Sequence, residues 1–257
     1  MLLYRIGPEG FYAVAEMAGA PLSVLYSDPF TTRPGAWELG RTVDPESAAL
    51  LVPVAPGKIV GIGRNYKEHA KELNNPMPAE PLIFLKATSA LIGPLATIVL
   101  PPQSSRVEHE GEIAVVVRER LTRADAETAR GAILGVTCAC DVTARDLQKK
   151  DATFARAKGF DTFCPLGPAI WVDADLDDVA VVTRVNGEER QRGHVRDMAW
   201  GPVELLVYTS HIMTLEPGDV ILTGTPAGVG PLVDGDTVEV EIPGLGVLKN
   251  GVEALRA

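Results

Sequence analysis

The chain has 257 residues, 46% of them hydrophobic and 23% charged, with a formal net charge of −10. That length supports a sizeable core, and the composition is that of an ordinary globular protein. The acidic balance argues against nucleic acid, which rewards a basic face, but does not exclude small anions, because a metal or a few placed cations reverse a local field.

Residues 1–55 hold short apolar runs such as YAVAEM and PLSVLY, broken by Gly and Pro, and end in LLVPVAPGK. They predict a small N-terminal β-rich domain, followed by a second domain over 56–257. Within the second domain KIVGIG reads as a buried strand, and NYKEHAKEL as a helix stopped by Asn74-Asn75-Pro76. PLIFLKAT is a strand, and VEHEGEIAVVV is read as one strand over 107–117. A helix in RADAETARGAI, a strand in LGVTCACDV and partial helix in TARDLQKKDATFARAK follow. Then come a strand at AIWVDA and a hairpin in VAVVTRVNGEERQRG, with Asn186-Gly187 placed for a type I′ turn. GPVELLVYTSHIM is a helix with Pro202 in its first turn, and GDVILTGTPAGVG and GDTVEVEIPGLGVLKN close the chain as strands. Strands outnumber helices without regular alternation, so the fold class is mainly β with flanking helices, α+β.

Cys138, Cys140 and Cys164 are an odd number without C-x-x-C spacing, so they are read as small buried apolar residues. The N-terminus lacks a basic segment followed by a continuous apolar one, and no apolar run nears the ~20 residues that span a bilayer. A soluble, cytoplasmic protein is expected.

The acidic start of VEHEGEIAVVV asks for an explanation. Along one strand Glu108, Glu110 and Glu112 point the same way, roughly 7 Å apart, a repulsion of about 2 kcal/mol per pair at an effective dielectric near 20. A hard cation resolves this: two carboxylates at i and i+2 and a third from elsewhere suit Mg²⁺, Mn²⁺ or Ca²⁺. Asp141, at the end of LGVTCACD, is the candidate third acid; the alternative is that it caps a helix while the glutamates line a wet edge. On the helix NYKEHAKEL, His69 and Glu72 at i,i+3 share a face, where the carboxylate can orient the imidazole as a general base; a plain solvated surface is the other reading. Lys86, Arg145 and Lys158 are isolated cations in apolar or tight surroundings, suited to a substrate carboxylate. LTGTPAGVG adds Thr225 in a glycine-rich turn without the lysine of a P-loop.

These segments, GRNYKEHAKEL, FLKATSA, EHEGEIAVVV, DVTARDLQ, AKGFDTFCPLGP, VNGEERQ and LTGTPAGVG, in this order, resemble the fumarylacetoacetate hydrolase family over residues 58 to about 250. The resemblance implies a mixed β-roll or sandwich core with a small N-terminal domain. It implies one Mg²⁺ or Mn²⁺ on Glu110, Glu112 and Asp141, and a catalytic set of His69, Glu72 and Lys158, with the dyad on a lid helix. Substrate contacts fall on Arg145, Gln148 and Thr225, and a homodimer is expected. Glu108 is left over, either supporting the ligands from behind or simply exposed at the strand's start, and its replacement by Ala is expected to do little. QRGHVRDM departs from the family's usual Asp-Gly-Asn, placing His194 and Arg196 where substrate choice or only the surface is affected.

Relatives act on small 2-oxo or enol acids. The implied activity is hydrolysis of a C–C bond in an acylpyruvate by a water activated by His69 and Glu72, with a metal-held enolate of pyruvate as leaving group. The alternatives are isomerisation or decarboxylation of a 2-hydroxy-dienedioate, as in aromatic-compound catabolism, and decarboxylation or tautomerisation of oxaloacetate. An inactive metal-binding protein is the reading from a different class.

Overall fold

The short apolar runs bounded by Gly and Pro build three sheets in the computed structural model, which describes residues 1–255. The N-terminal segment supplies β1 (Leu2–Ile6), β2 (Phe11–Ala15), β3 (Leu22–Leu25) and β4 (Leu39–Val43). Next come β5 (Ile59–Gly63), α1 (Lys67–Glu72), β6 (Leu82–Lys86), β7 (Leu91–Ile92) and β8 (Thr97–Leu100). The acidic stretch forms β9 (Val107–His109) and β10 (Gly111–Val117), followed by α2 (Ala126–Gly131) and β11 (Ile133–Cys140). β12 (Thr143–Ala144), α3 (Arg145–Lys150) and α4 (Ala155–Lys158) precede β13 (Cys164–Val172). The hairpin β14 (Ala180–Val185) and β15 (Glu188–His194) leads to α5 (Pro202–Ile212) and β16 (Val220–Leu222). β17 (Gly230–Pro231), β18 (Thr237–Ile242) and β19 (Gly246–Ala254) finish the described chain.

The largest sheet runs β4-β3-β2-β1-β13-β11-β10-β16-β5-β6, with β7 alongside β13. Its pairs are antiparallel except β16–β5 and β7–β13. A second sheet, β15-β14-β18-β19-β8, packs against the centre of the first through β10, β11 and β13. Each residue of the Ile113–Val117 run is fully buried, which is why it reads as continuous rather than alternating. The fold is therefore mainly β with few helices, as expected. The first four strands form an antiparallel meander that joins the large sheet at β1–β13, through Leu2 opposite Trp171 and Leu3 opposite Ile170.

Residues 107–117 are not one strand. The chain changes sheets at Glu110: β9 pairs with β12 and β17 in a small third sheet, whereas β10 pairs with β11 and β16. The backbone can turn there because Gly111 has no side chain; a Cβ would sit 1.8 Å from the Thr183 hydroxyl of the covering sheet. The β14–β15 turn has positive φ at both Asn186 (54°) and Gly187 (80°), the type I′ geometry those residues favour. In α5, Pro202 starts the helix and the Glu204 carboxylate accepts from the Gly201 N–H at 2.7 Å, while Leu205 and Leu206 are buried. Among the described residues no helix is long and apolar enough to cross a membrane. Cys138, Cys140 and Cys164 are free and buried, and burial pushes each thiol up to about 12.

Candidate active site

The sheet change at Glu110 assembles the acidic centre. Antiparallel pairing sets Gly111 opposite Cys140, so the residues just beyond, Glu110 and Asp141, lie side by side, with the Asp141 N–H donating to the Glu110 carbonyl at 2.8 Å. Glu112 projects from β10 on the same side. Glu110, Glu112 and Asp141 each offer a carboxylate oxygen, all within 4.8 Å of one another, and all three residues are buried. Asp141 is not a helix cap, since Ala144 holds that position before α3.

Three buried cations face these acids. Lys158 donates from Nζ to Glu110 Oε2 at 2.6 Å and Asp141 Oδ2 at 2.5 Å. Lys86 donates to Asp141 Oδ1 at 2.7 Å and to the Lys158 carbonyl at 2.6 Å. Arg145 holds Glu110 through one terminal nitrogen, Gln148 through the other and Glu108 through Nε at 2.6 Å. Burial alone would raise the Glu110 carboxyl, but Lys158 and Arg145 hold it well below the usual range. Burial likewise disfavours charge on Lys158, and Asp141 and Glu110 more than offset it, so the ammonium is retained.

Glu112 is different. Among the described residues it has no cation partner, only the Gly224 N–H at 2.7 Å. Burial and then the charge of Asp141 push its carboxyl well above the usual range. Four buried acids against three buried cations leave one negative charge, and Glu112 is the acid short of a counterion. A divalent cation with oxygen ligands fits this set: it would supply the positive charge that Glu112 lacks.

Of the two places left for Glu108, the structure shows the supporting one: it is buried, not exposed at a strand start, and points to Arg145 and Arg106 behind the triad. The physical reason is the sheet change, since Glu108 lies on β9, opposite Thr143 of β12, one turn of chain from Arg145.

The dyad lies across a cavity of about 360 Å³ from these acids. β5 leads into α1, and Asn65 pins the connection: its amide donates to the carbonyls of Trp200 (3.0 Å) and Thr223 (2.8 Å) and its Oδ1 accepts from the Trp200 N–H. His69 is buried on α1, with Nδ1 3.2 Å from Glu72 Oε2. Glu72 Oε1 accepts from the Gly228 N–H at 3.0 Å, tying α1 to the glycine-rich turn. Its second acceptor contact fixes the Glu72 carboxylate, which in turn sets Nδ1 as the protonated nitrogen and frees Nε2. All nine expected site residues line this one cavity: His69, Glu72, Glu110, Glu112, Asp141, Arg145, Gln148, Lys158 and Thr225. Phe84 and Phe154 form an apolar wall, with the Lys158 ammonium 5.0 Å from the Phe84 ring centre.

Other residues escaped sequence reasoning. Gln191 on β15 accepts from the Gly111 N–H at 2.9 Å and donates to Thr225 Oγ1 at 2.7 Å and the Pro226 carbonyl at 2.8 Å. Since its Oε1 also meets His109 Nδ1 at 3.1 Å, that buried ring carries its proton on Nδ1. Gln191 thus ties the sheet change to the glycine-rich turn; its place in VNGEERQ was the available signal. Thr225 donates its own proton to the Gly111 carbonyl at 2.8 Å. His194 and Arg196 do not reach the cavity: both pair with Asp178, His194 Nε2 at 3.1 Å and Arg196 at 2.7 Å, on the surface.

Fold and site together define a β-sandwich protein with a buried three-carboxylate centre and a histidine–glutamate dyad facing one cavity. The sequence profile of the family described as Fumarylacetoacetate (FAA) hydrolase C-terminal matches residues 58–253. The chain belongs to the fumarylacetoacetate hydrolase family, whose members are enzymes. It is 44% identical over 215 residues to the oxaloacetate tautomerase FAHD2A, mitochondrial, of Homo sapiens, covering 79% of this chain and 68% of that protein. Among solved structures, 2-hydroxyhepta-2,4-diene-1,7-dioate isomerase from Mycobacterium marinum is 39% identical with a TM-score of 0.89 over 100% of both chains. The 5-carboxymethyl-2-hydroxymuconate delta-isomerase from Mycobacterium smegmatis is 42% identical with a TM-score of 0.89, over 99% of this chain and 100% of that one.

Proposed function

We propose that the chain catalyses proton transfer at the carbon next to the 2-oxo group of a small 2-oxo acid, as a tautomerase or isomerase that uses a divalent cation. The observation that carries this reading is the His69–Glu72 dyad facing the Glu110, Glu112 and Asp141 carboxylates across one cavity. Relatives named as a tautomerase and as isomerases support the same class.

Glu110, Glu112 and Asp141 would hold the ion, and Mg²⁺ or Mn²⁺ bound there supplies Lewis-acid polarisation of the 2-oxo oxygen. Glu72 keeps the His69 ring oriented through Nδ1, so Nε2 carries the proton between oxygen and carbon: in ketonisation a proton leaves the 2-hydroxyl and one is delivered to carbon, and enolisation is the reverse. Lys158 adds a fixed positive charge at the inner end of the cavity, where negative charge develops on the enol oxygen. Arg145 keeps Glu110 and Gln148 in place and stays charged because Glu110 and Glu108 outweigh its burial. Phe84 and Phe154 exclude water from one wall.

Hydrolysis of an acylpyruvate is the second reading. The dyad favours it, because the same Nε2 can take a proton from water, and the cavity has room for a water, ~30 Å³, beside a 2-oxo acid. The two readings part at the product. Metal-stripped protein, with and without added Mg²⁺ or Mn²⁺, is assayed on enol-oxaloacetate, a 2-hydroxy-dienedioate, acetylpyruvate and fumarylpyruvate. Metal-dependent ketonisation or double-bond shift without chain cleavage is expected. Pyruvate released from an acylpyruvate as the main product moves hydrolysis to first place. No turnover on any of them overturns both. Assembly as a homodimer remains part of the proposal, with light scattering as its test.

A further inference from the structure

The glycine-rich turn over residues 224–228 touches both halves of the site. At one end the Gly224 N–H donates to Glu112 Oε2 at 2.7 Å; at the other the Gly228 N–H donates to Glu72 Oε1 at 3.0 Å. Among the described residues Gly224 is the one hydrogen-bond donor to the Glu112 carboxylate, and only His69 joins Gly228 at Glu72. One short turn therefore connects a candidate ion ligand with the carboxylate that orients the base.

Gln191 of β15 is the bolt through the middle of that turn. Its Nε2 donates to Thr225 Oγ1 at 2.7 Å and to the Pro226 carbonyl at 2.8 Å, and its Oε1 accepts from the Gly111 N–H at 2.9 Å and from His109 Nδ1 at 3.1 Å. Thr225 donates in turn to the Gly111 carbonyl at 2.8 Å. Gly111, the residue between Glu110 and Glu112, is thus held at both its N–H and its C=O. The turn also lies directly on β15: at Gly228, with φ 103°, a Cβ would sit 1.9 Å from the Arg190 carbonyl oxygen. A side chain needed at 191 only to fill space would be apolar, because burying an amide costs free energy unless every group on it is paired. Gln191 is 1% exposed and pairs all of them, which points to its bonds and not its volume.

We propose that Gln191 is a positioning residue that makes the Glu112 and Glu72 carboxylates move as one unit, so that a divalent cation held at Glu112 also orders the His69–Glu72 base. With the turn bolted to β15, an opening that releases Gly224 from Glu112 releases Gly228 from Glu72 as well. An ion that fixes the Glu112 carboxylate disfavours that shared opening. The coupling is reciprocal, so an aligned dyad tightens ion binding by the same factor. Without the two amide bonds from Gln191, the ends of the turn open separately. The inference rests on the proposed use of an ion and this dyad, and adds to it how one is conveyed to the other; its test reads neither turnover nor substrate.

Amide hydrogen exchange at Gly224 and Gly228 is followed by nuclear magnetic resonance in wild type, Gln191→Glu and Thr225→Ala, with and without saturating Mg²⁺, and calorimetry measures Mg²⁺ binding in parallel. In wild type both amides gain protection by the same factor, about tenfold, because one opening exposes both. Gln191→Glu keeps an acceptor for Gly111 and His109 and removes the amide donors to Thr225 and Pro226. In that variant Mg²⁺ still protects Gly224, while the gain at Gly228 falls short by about threefold or more. The His69 ring nitrogen resonances then no longer report a single Nδ1–H tautomer. Thr225→Ala cuts one of the same two bonds from the turn's side and separates the gains less. A wild-type Gly228 amide that bound Mg²⁺ leaves unchanged overturns the inference without any variant. Equal gains at both amides in Gln191→Glu, or in Thr225→Ala where Gln191→Glu does not fold, overturn it too. If no Mg²⁺ binds, the ion reading itself fails and takes the inference with it; bound Mg²⁺ without shared protection sinks the coupling alone.

Discussion

Replacing Glu108 by Ala tests how the centre is held together. The Glu108 and Arg145 side chains are each 3% exposed, and Glu108 Oε2 is the acceptor for Arg145 Nε. Removing one partner of a buried pair costs roughly 3–5 kcal/mol because the other charge is left uncompensated. Arg145 keeps Glu110 and Gln148, which places the expected loss at the lower end, about 3 kcal/mol. The second pair, Glu108 with Arg106, adds under about 1 kcal/mol, since Arg106 is 56% exposed. Glu108→Gln keeps an acceptor for Nε and costs about half as much. Arg145 also steadies Glu110, so metal affinity falls about 10-fold or more in Glu108→Ala. Urea unfolding and a calorimetric metal titration measure the two effects. Glu108→Ala within about 0.5 kcal/mol of wild type, with unchanged metal affinity, would refute the reasoning.

Glu112→Gln removes the one acid of the centre without a cation partner, so the metal-free protein unfolds at an equal or higher urea midpoint than wild type. The same variant loses the rise in thermal midpoint that saturating Mg²⁺ or Mn²⁺ gives wild type, a stabilisation of about 2.7 kcal/mol at a hundredfold excess over Kd. Asp146 accepts from Ser104 Oγ at 2.6 Å and from the Ser105 N–H at 3.0 Å. Slight burial would raise its carboxyl, but these serine hydrogen bonds hold it at about 2, below its ordinary 3.8. A depressed carboxyl stabilises the fold above its unfolded value and loses that contribution as pH falls toward the folded one. The stability advantage of wild type over Asp146→Asn is therefore full above about pH 5 and shrinks between 3.8 and about 2, measured by urea unfolding at stepped pH.

What was legible in the sequence is what short-range pattern and motif order encode. The Glu110–Glu112 spacing, the apolar run ending at Asp141 and the i,i+3 placement of His69 and Glu72 are local features, and each sits at the cavity. The partners of those residues are not local. Arg145 meets Glu108 across 37 residues because β9 pairs with β12, and Gln191 reaches Gly111 across 80 because β15 folds back over the sheet change. Periodicity alone made one strand of 107–117 and one face of its three glutamates; the interruption at Glu110 depends on Thr183 from another sheet pressing on Gly111. Lys86 was visible as an isolated cation, but its hold on Asp141 follows from how β6 and α4 are placed.

Solvent-deuterium incorporation at the carbon next to the 2-oxo group tests the central claim most directly. Metal-loaded wild type and His69→Ala are incubated with oxaloacetate in heavy water, and exchange above the metal-only background is followed by nuclear magnetic resonance. The account predicts exchange by wild type that disappears when metal is removed and falls by about 10²–10⁴-fold in His69→Ala, which still binds metal and folds normally. Exchange that persists in His69→Ala, or that wild type fails to catalyse, would contradict it.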